Sequence, residues 1–388
     1  MATNRLRIVH IAKYFPPDPG GMEYFVRDLA YEQAKAGHEV LVLAHAGQTP
    51  AGVTLERPGL TVKRFKVWTV LGNYAPAAPA LFLALKAVVR NFNPDIIHLH
   101  CPNPLEAAIF LLPAALPLVL HWHADVCFPP EHEPSRWLLA LWRRIEGTAM
   151  ERANRIIATS GLYAESSLFL VPHKDKVKAI PVGLPPDMPS SPQAGRAAGW
   201  LAARPLGSRL VAIGRLSYYK GFSVLLEAMS ALKDAFLCLI GEGPERGHLE
   251  KTCDRLGLRD RVFFAGQVDD NDREAALKLA DIFVLPSLNR GEAFGLVLLE
   301  AMRAGKACLA TDVPGSGMSF VVQDGVTGLL AEPNDCDSLS EKAALLLNNR
   351  RMREELGMAG RKRFLDNFTL PVVHHRIELL YDEMIKPS

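Results

Sequence analysis

The sequence predicts two doubly wound α/β domains facing each other across a cleft. Three observations carry that expectation. Short, continuous apolar runs alternate with helix-period segments in both halves of the chain. A stretch rich in proline, serine and glycine separates the halves. The chain has 388 residues, enough for about two to three domains.

In the first half, Arg7 to Ala12 (RIVHIA) reads as a buried strand. Met22 to Ala36 places Phe25, Leu29 and Ala30 at helical spacing, and Gly37 supplies a stop. Glu39 to Ala44 (EVLVLA), Asp95 to His100 (DIIHLH), Leu118 to Trp122 (LVLHW) and Arg155 to Thr159 (RIIAT) continue the series. Runs without polar alternation are what a parallel sheet covered on both faces requires. From Pro181 to Pro205 the composition changes, with Pro185, Pro186, Pro189, Ser190, Ser191, Pro192, Gly195 and Gly199. The alternation then restarts as RLVAIG, FLCLIG, RVFFAG, DIFVLPS and ACLATD, with strands beginning near Arg209, Phe236, Arg261, Asp281 and Ala307. A tail rich in Leu, Glu and Arg, helical from about Asp337, closes the chain. The expected division is 1–185, a linker at 186–205, and 206–367.

Composition narrows the function. Net charge is +2, from 44 basic and 42 acidic residues, which argues against a dedicated nucleic-acid binder. The six cysteines, Cys101, Cys127, Cys238, Cys253, Cys308 and Cys336, form no C-x-x-C pair. They read as buried thiols of a reducing compartment. The N-terminus enters a strand without a long apolar core, so no secretory signal is expected. The most apolar region, Leu105 to Leu120, is broken by Glu106, Pro113 and Pro117 and is too short to span a bilayer. The expected location is cytoplasmic.

In doubly wound sheets ligands bind beyond the carboxyl ends of the strands, so the loops there hold the candidate site. After RLVAIG, Gly214 to Gly221 (GRLSYYKG) sets Arg215 and Lys220 five positions apart beside a helix N-terminus. Free amides and two cations suit a diphosphate; two solvated surface charges are the plainer reading. After DIFVLPS, Glu292 and Glu300 stand eight positions apart, a rise of about 12 Å if helical. That spacing lets one carboxylate contact a sugar while the other reaches a ribose, with the amides of Ala293, Phe294 and Gly295 between. Glu292 reads alternatively as a helix cap. Glu300 lies in the apolar stretch LLEAM and needs a partner, which favours a ligand.

Gly20-Gly21 follows the first strand ahead of a helix, where a bare loop admits a phosphate. Gly241-Glu242-Gly243-Pro244 follows FLCLIG, but Arg246 occupies the third glycine position of a dinucleotide fingerprint. No Walker A sequence is present, because Gly305-Lys306 lacks its upstream glycine. Both negatives count against a dehydrogenase and an NTPase. His121, His123 and Asp125 fall on one side of an alternating strand, with His98 and His100 nearby in sequence. They read as a metal site, as satisfied core histidines, or as hydrogen-bonding groups that contact substrate.

Together the Gly20-Gly21 loop, the His-x-His-x-Asp cluster, GRLSYYKG, GEGP and the E-x7-E of GEAFGLVLLE resemble the retaining glycosyltransferases of family 4, which have the GT-B fold of two Rossmann-like domains. The match covers nearly the whole chain in the expected order. The resemblance implies that Arg215 and Lys220 neutralise a donor diphosphate, with Gly20, Gly21, Gly214 and Gly243 lining its pocket. It further implies that Glu292, with Ala293, Phe294 and Gly295, holds the donor sugar, that Glu300 binds the ribose, and that Val268 lies near the base. His123 would contact the sugar and Asp125 would orient the acceptor. No metal or other cofactor is implied, and the C-terminal tail (about 368–388) would pack back on the first domain.

The implied reaction transfers a hexosyl group from a GDP- or UDP-hexose, mannose-like by a slight preference, to a glycan or lipid-linked acceptor in bacterial surface polysaccharide or lipopolysaccharide synthesis. The acceptor half is less informative: Trp68, Tyr74, Pro76 and Phe128 to Pro130 name no ligand. Arg136 and Trp137 to Arg144 (WLLALWRR) read either as a surface for the inner face of an anionic membrane or as an ordinary packed helix. Two other classes stay open: an epimerase or phosphorylase on the same fold, distinguished by turnover without acceptor or by phosphate consumption, and a binding protein without donor hydrolysis.

Overall fold

The computed structural model describes residues 5–18, 20–71, 75–126, 136–187, 195–206 and 208–385. Tyr74, Cys127, Phe128 to Pro130, Pro189, Ser190, Ser191, Pro192 and the side chains of Arg136, Trp137 and Leu138 lie outside the described residues. The chain divides into two units, Met1–Gly183 with Leu370–Ser388, and Leu184–Thr369.

The first unit contains β1 (Arg7–Ile11), α1 (Gly21–Lys35), β2 (Glu39–Ala46), β3 (Gly52–Arg57), β4 (Leu60–Lys66), β5 (Thr69–Leu71), β6 (Ala75–Ala77), α2 (Pro79–Phe92), β7 (Ile96–Cys101), β8 (Leu118–Trp122), α3 (Arg136–Arg152), β9 (Arg155–Ala158), α4 (Gly161–Ser166) and β10 (Val177–Ala179). Its sheet has the order β10-β9-β8-β7-β1-β2-β4-β3, parallel except where β3 pairs antiparallel with β4. All six residues of β7 and all five of β8 are buried, as expected of central parallel strands. β5 and β6 form a separate antiparallel pair.

The second unit contains α5 (Arg196–Ala202), β11 (Arg209–Ile213), α6 (Phe222–Ala231), β12 (Phe236–Ile240), α7 (Arg246–Arg255), β13 (Val262–Gly266), α8 (Asp270–Leu279), β14 (Ile282–Leu285), α9 (Leu296–Arg303), β15 (Ala307–Thr311), α10 (Met318–Val321), β16 (Gly328–Ala331), α11 (Cys336–Asn348) and α12 (Arg350–Asn367). The strand order is β13-β12-β11-β14-β15-β16, and every pairing is parallel. Numbered within the unit, this is 3-2-1-4-5-6, the doubly wound dinucleotide-binding order, whose crevice opens where strands 1 and 4 meet. Here that switch point lies between β11 and β14. One core, including Leu210, Leu237, Ile282 and Leu309, runs beneath the helices of this sheet.

A final helix, α13 (Leu370–Ile385), belongs to the first unit and packs on α1. The two chain passages run close together there: a Cβ on Gly183 would stand 2.9 Å from Val373 Cγ2. A side chain at 183 would push the tail helix away.

The expected linker needs one correction. Its last third is α5, an ordered helix of the second unit that packs on α8. The reason is Asp272, whose two carboxylate oxygens accept the amides of Ala197 (3.0 Å) and Ala198 (2.9 Å) at the helix start. These are orphan donors of a first turn. Gly195 has no side chain because its Cβ would lie 2.4 Å from Asp272 Cγ. Asp272→Ala is therefore expected to cost the second unit about 2 kcal/mol, read as a lower denaturant midpoint at unchanged slope.

Candidate functional site

The loops after β11 and β14 are built as one piece. The amide of Leu288 donates to the carbonyl of Tyr219 at 2.8 Å. Gly221 has φ 68°, and a Cβ there would lie 2.0 Å from the Pro286 carbonyl oxygen. Only glycine meets both demands. The loop after β12 joins them: a Cβ on Gly241 would stand 1.9 Å from Gly214 O, and one on Gly243 would stand 2.3 Å from Leu216 O. Gly241 and Gly243 thus have a packing reason to be glycine, independent of any ligand.

Lys220 and Glu292 meet across this seam. The Lys220 ammonium is buried and bonded to Glu292 Oε2, and it packs against Gly214, whose Cβ would lie 3.4 Å from Nζ. Burial opposes the ammonium charge, but the Glu292 carboxylate and Tyr219 outweigh it and raise the pKa. Ser287 Oγ donates to Glu292 Oε2 at 3.4 Å, and the Gly295 amide donates to Oε1 at 3.1 Å. Ser316 Oγ in turn donates to the Glu292 carbonyl. A carboxylate offers about four lone-pair positions; three are taken here, which leaves about one for a ligand.

Two expectations are revised at this point. Glu292 precedes the helix, since Gly295, at φ 81°, is the N-cap of α9, so the helical rise between Glu292 and Glu300 does not apply. The Gly295 amide, expected to face a ligand, is already bonded to Glu292. The amides of Ala293 and Phe294 have no acceptor among the described residues. Both side chains are buried, and Phe294 packs edge-on against Phe368. Arg215 is exposed at the end of β11, and Val268 is half-buried two residues after Gly266.

Glu300 is buried in α9 and does have a protein partner. Arg273 Nε of α8 lies 3.0 Å from Oε2, although that oxygen has no aligned hydrogen bond. Arg303, paired with Glu274, completes a cluster of two carboxylates and two guanidinium groups. Burial raises the Glu300 pKa, with Arg273 and Arg303 opposing. Being a lone buried carboxylate is therefore no longer an argument for a ligand on Glu300; the unaligned oxygen is.

In the first unit, Gly20 is extended (φ 161°) at the N-cap of α1, and Gly21 opens the helix. The space over Gly20 is not bare, because its Cβ would lie 2.0 Å from Glu23 Oε2. Burial pushes Glu23 up to about 7, with its own amide and Lys13 opposing. A carboxyl group that sheds its charge near neutrality thus covers the expected phosphate position.

His123 is half-buried, and its Nε2 lies 3.1 Å from His100 Nδ1. Burial pushes it down to about 3, so it is neutral at ordinary pH. Asp125 departs from the expected alternation, because β8 ends at Trp122. Its Oδ1 accepts from Trp122 Nε1 and from Ser167 Oγ, each at 2.8 Å. Trp122 points to the opposite face from His121 and His123, so Asp125 ties the strand end to the fold on that other side.

Among the described residues, three groups bring potential metal ligands within 4.8 Å of one another: His10, His98 and His100; His100, His121 and His123; and His38, His374 and Glu378. In each of the first two, one pair of rings is stacked nearly parallel, 8° between His98 and His100 and 5° between His121 and His123. Imidazole lone pairs lie in the ring plane, so two stacked rings do not converge on one ion. In the third, His38 Nδ1 accepts the Leu6 amide at 3.1 Å while its Nε2 bonds Glu378 Oε2 at 2.9 Å.

The chain is similar to known proteins over nearly its whole length. Residues 207–363 match the family model described as glycosyl transferases group 1, and residues 20–183 match the glycosyl transferase 4-like domain. The chain is 29% identical over 372 residues to a D-rhamnosyltransferase of Pseudomonas aeruginosa, covering 94% of this chain and 92% of that protein. It is 30% identical over 367 residues to the phosphatidyl-myo-inositol mannosyltransferase of Mycobacterium leprae, covering 92% and 91%. Sucrose-phosphate synthase of Thermosynechococcus elongatus has the same fold, at a TM-score of 0.84 over 98% of this chain and 99% of that one, with 23% identity.

Proposed function

The chain belongs to the group 1 glycosyl transferases, in glycosyltransferase family 4 with the GT-B fold, and we propose that it moves a manno-configured hexosyl group from a GDP- or UDP-sugar to a hydroxyl of a glycan or lipid-linked acceptor. Transfer proceeds with retention at the anomeric carbon and without a metal, in the assembly of a surface polysaccharide or glycolipid. The observation that carries this reading is the Lys220–Glu292 pair at the β11/β14 switch point. It fixes a buried ammonium where a doubly wound sheet binds phosphates. The names of the two relatives support the sugar, since D-rhamnose is the 6-deoxy form of D-mannose.

Chemistry follows from what each group has left to offer. Lys220 and Arg215 compensate the charge that builds on the diphosphate as the bond from the anomeric carbon to phosphate oxygen breaks. Glu292 has its carboxylate committed to Lys220, Ser287 and Gly295, so it positions the ammonium and holds a sugar hydroxyl rather than attacking carbon. With no free nucleophile assigned, the acceptor oxygen bonds to the anomeric carbon on the face the diphosphate leaves. Its proton passes to the departing phosphate oxygen. Glu300 binds the ribose hydroxyls, and Val268 borders the base.

The test needs no acceptor. Purified protein in EDTA with GDP-α-mannose or UDP-α-mannose is expected to release free sugar slowly, α anomer first, seen by proton NMR before mutarotation. Release of the β anomer first, or a strict need for added Mg²⁺, would contradict the reading.

The lipid-linked acceptor rests on α3, where Leu141 is 52% exposed beside exposed Arg143 and Arg144. Among the described residues no helix is long and apolar enough to cross a membrane; the association proposed is peripheral, at the inner face of the cytoplasmic membrane. Co-sedimentation with anionic liposomes at low salt is expected, and its failure would leave a soluble glycan as the acceptor.

A further inference from the structure

Five imidazoles share one face of the first sheet. His10 lies on β1, His98 and His100 on β7, His121 on β8 and His123 just beyond it, with His10 opposite His98 and His100 opposite His121 in register. They are hydrogen-bonded into two arms that meet at Gln33 of α1. In one arm Gln33 Oε1 lies 2.7 Å from His10 Nε2, His10 Nδ1 lies 2.9 Å from His100 Nε2, and His100 Nδ1 lies 3.1 Å from His123 Nε2. In the other, Gln33 Nε2 lies 3.4 Å from the Tyr381 hydroxyl of α13. That hydroxyl lies 2.5 Å from His98 Nδ1, and His98 Nε2 lies 3.2 Å from His121 Nδ1.

A neutral imidazole has one donor and one acceptor nitrogen, and an amide oxygen only accepts. The protons of the chain are therefore not independent. Facing Gln33 Oε1, His10 must carry its proton on Nε2 and accept at Nδ1. His100 must then donate from Nε2 and accept at Nδ1, and His123 must donate from Nε2. The second arm reads in the same sense. Gln33 Nε2 donates to Tyr381, Tyr381 donates to His98 Nδ1, and His98 Nε2 donates to His121 Nδ1. Turning the Gln33 amide over reverses every bond in both arms and moves the His123 proton to Nδ1.

We infer that Gln33 and Tyr381 are positioning residues that hold His123 in the Nε2–H tautomer, so that its Nδ1 is a hydrogen-bond acceptor for a carbohydrate hydroxyl. This rests on the sugar contact that the family resemblance implies for His123. Burial reinforces the arrangement: it lowers His10 to about 4 and His100 well below the usual imidazole range. Glu378 of α13 is the charged group that acts on His10, and it does so in the opposite direction. The tail helix thereby gains a task in the first unit beyond covering α1, because the Tyr381 hydroxyl links the Gln33 amide to His98.

The experiment is two-bond ¹H–¹⁵N NMR of the full chain labelled on histidine at pH 7.5, with the His123 signal assigned by its loss in His123→Gln. Wild type is expected to show His123 as a single Nε2–H tautomer. Gln33→Leu is expected to mix the two tautomers and raise the KM for donor sugar about tenfold, with the binding of GDP or UDP alone unchanged. Tyr381→Phe is expected to mix them partially. Gln33→Glu as a carboxylate can only accept from His10, so it retains the wild-type tautomer and guards against a Gln33→Leu protein that does not fold. A His123 protonated on Nδ1 in wild type, or unchanged in both Gln33→Leu and Tyr381→Phe, overturns the inference. A tautomer that shifts while the donor KM stays fixed overturns the sugar contact and leaves the relay standing.

Discussion

Lys220→Ala is expected to lower kcat/KM by about a thousandfold, the upper range for removing one preorganised group that stabilises developing negative charge. The same change leaves the buried Glu292 carboxylate facing only Ser287 and the Gly295 amide. Breaking a buried ion pair from one side costs about 3–5 kcal/mol, so the melting temperature falls too. The two effects separate in the double variant Lys220→Ala with Glu292→Gln, which removes the stranded charge. Stability is expected to recover in large part while activity does not. Recovery of activity with stability would mean that Lys220 only ties the two loops together. Lys220→Arg is not expected to substitute, because the ammonium packs against Gly214 and a planar guanidinium needs a wider slot.

Glu300→Ala is expected to weaken binding of the preferred nucleoside diphosphate about a hundredfold, through the loss of two charge-assisted hydrogen bonds of about 1.5 kcal/mol each. Titration calorimetry with wild type and variant reads this directly. The competing role, as partner of Arg273, predicts something else: lower stability with nucleotide affinity unchanged. Glu300→Gln distinguishes them further, since it retains hydrogen-bonding capacity towards ribose while removing the charge that faces Arg273.

The parallel strands other than β4, β10 and β16 were legible because each is a continuous apolar run, as in RLVAI and ACLAT, whose residues are all buried. What escaped was the rest of the sheets. β3 and β4 read GVTLER and LTVKRFK, and β4 alternates buried and half-buried positions because it borders an exposed antiparallel edge strand. A search for unbroken runs passes over such a pattern. The four residues of β16 are too few to register. α5 hid in proline-rich surroundings, and its anchor, Asp272, lies 75 residues from Ala197.

The site divides in the same way. The charges at Arg215, Lys220, Glu292 and Glu300 were visible as residues at strand ends. That Lys220 and Glu292 would pair was not, because they are 72 residues apart and strand order decides whether β11 lies beside β14. The histidines of β7 and β8 were visible as alternating pairs. His10, Gln33 and Tyr381 were not connected to them, since only the return of α13 onto α1 brings Tyr381 to His98. Asp125 was misplaced by carrying strand periodicity past the end of β8.

The switch point of the second unit is proposed to bind a nucleoside-diphosphate sugar without metal. Thermal-shift measurement against UDP, GDP, ADP and their common sugar conjugates, with EDTA present, tests it most directly, since a ligand bound only by the folded chain raises Tm by mass action. The expected result is a selective shift with one base, abolished in Glu300→Ala and weakened in Lys220→Ala. No shift with any of them, or a shift that both variants retain in full, would place the donor elsewhere and contradict the account.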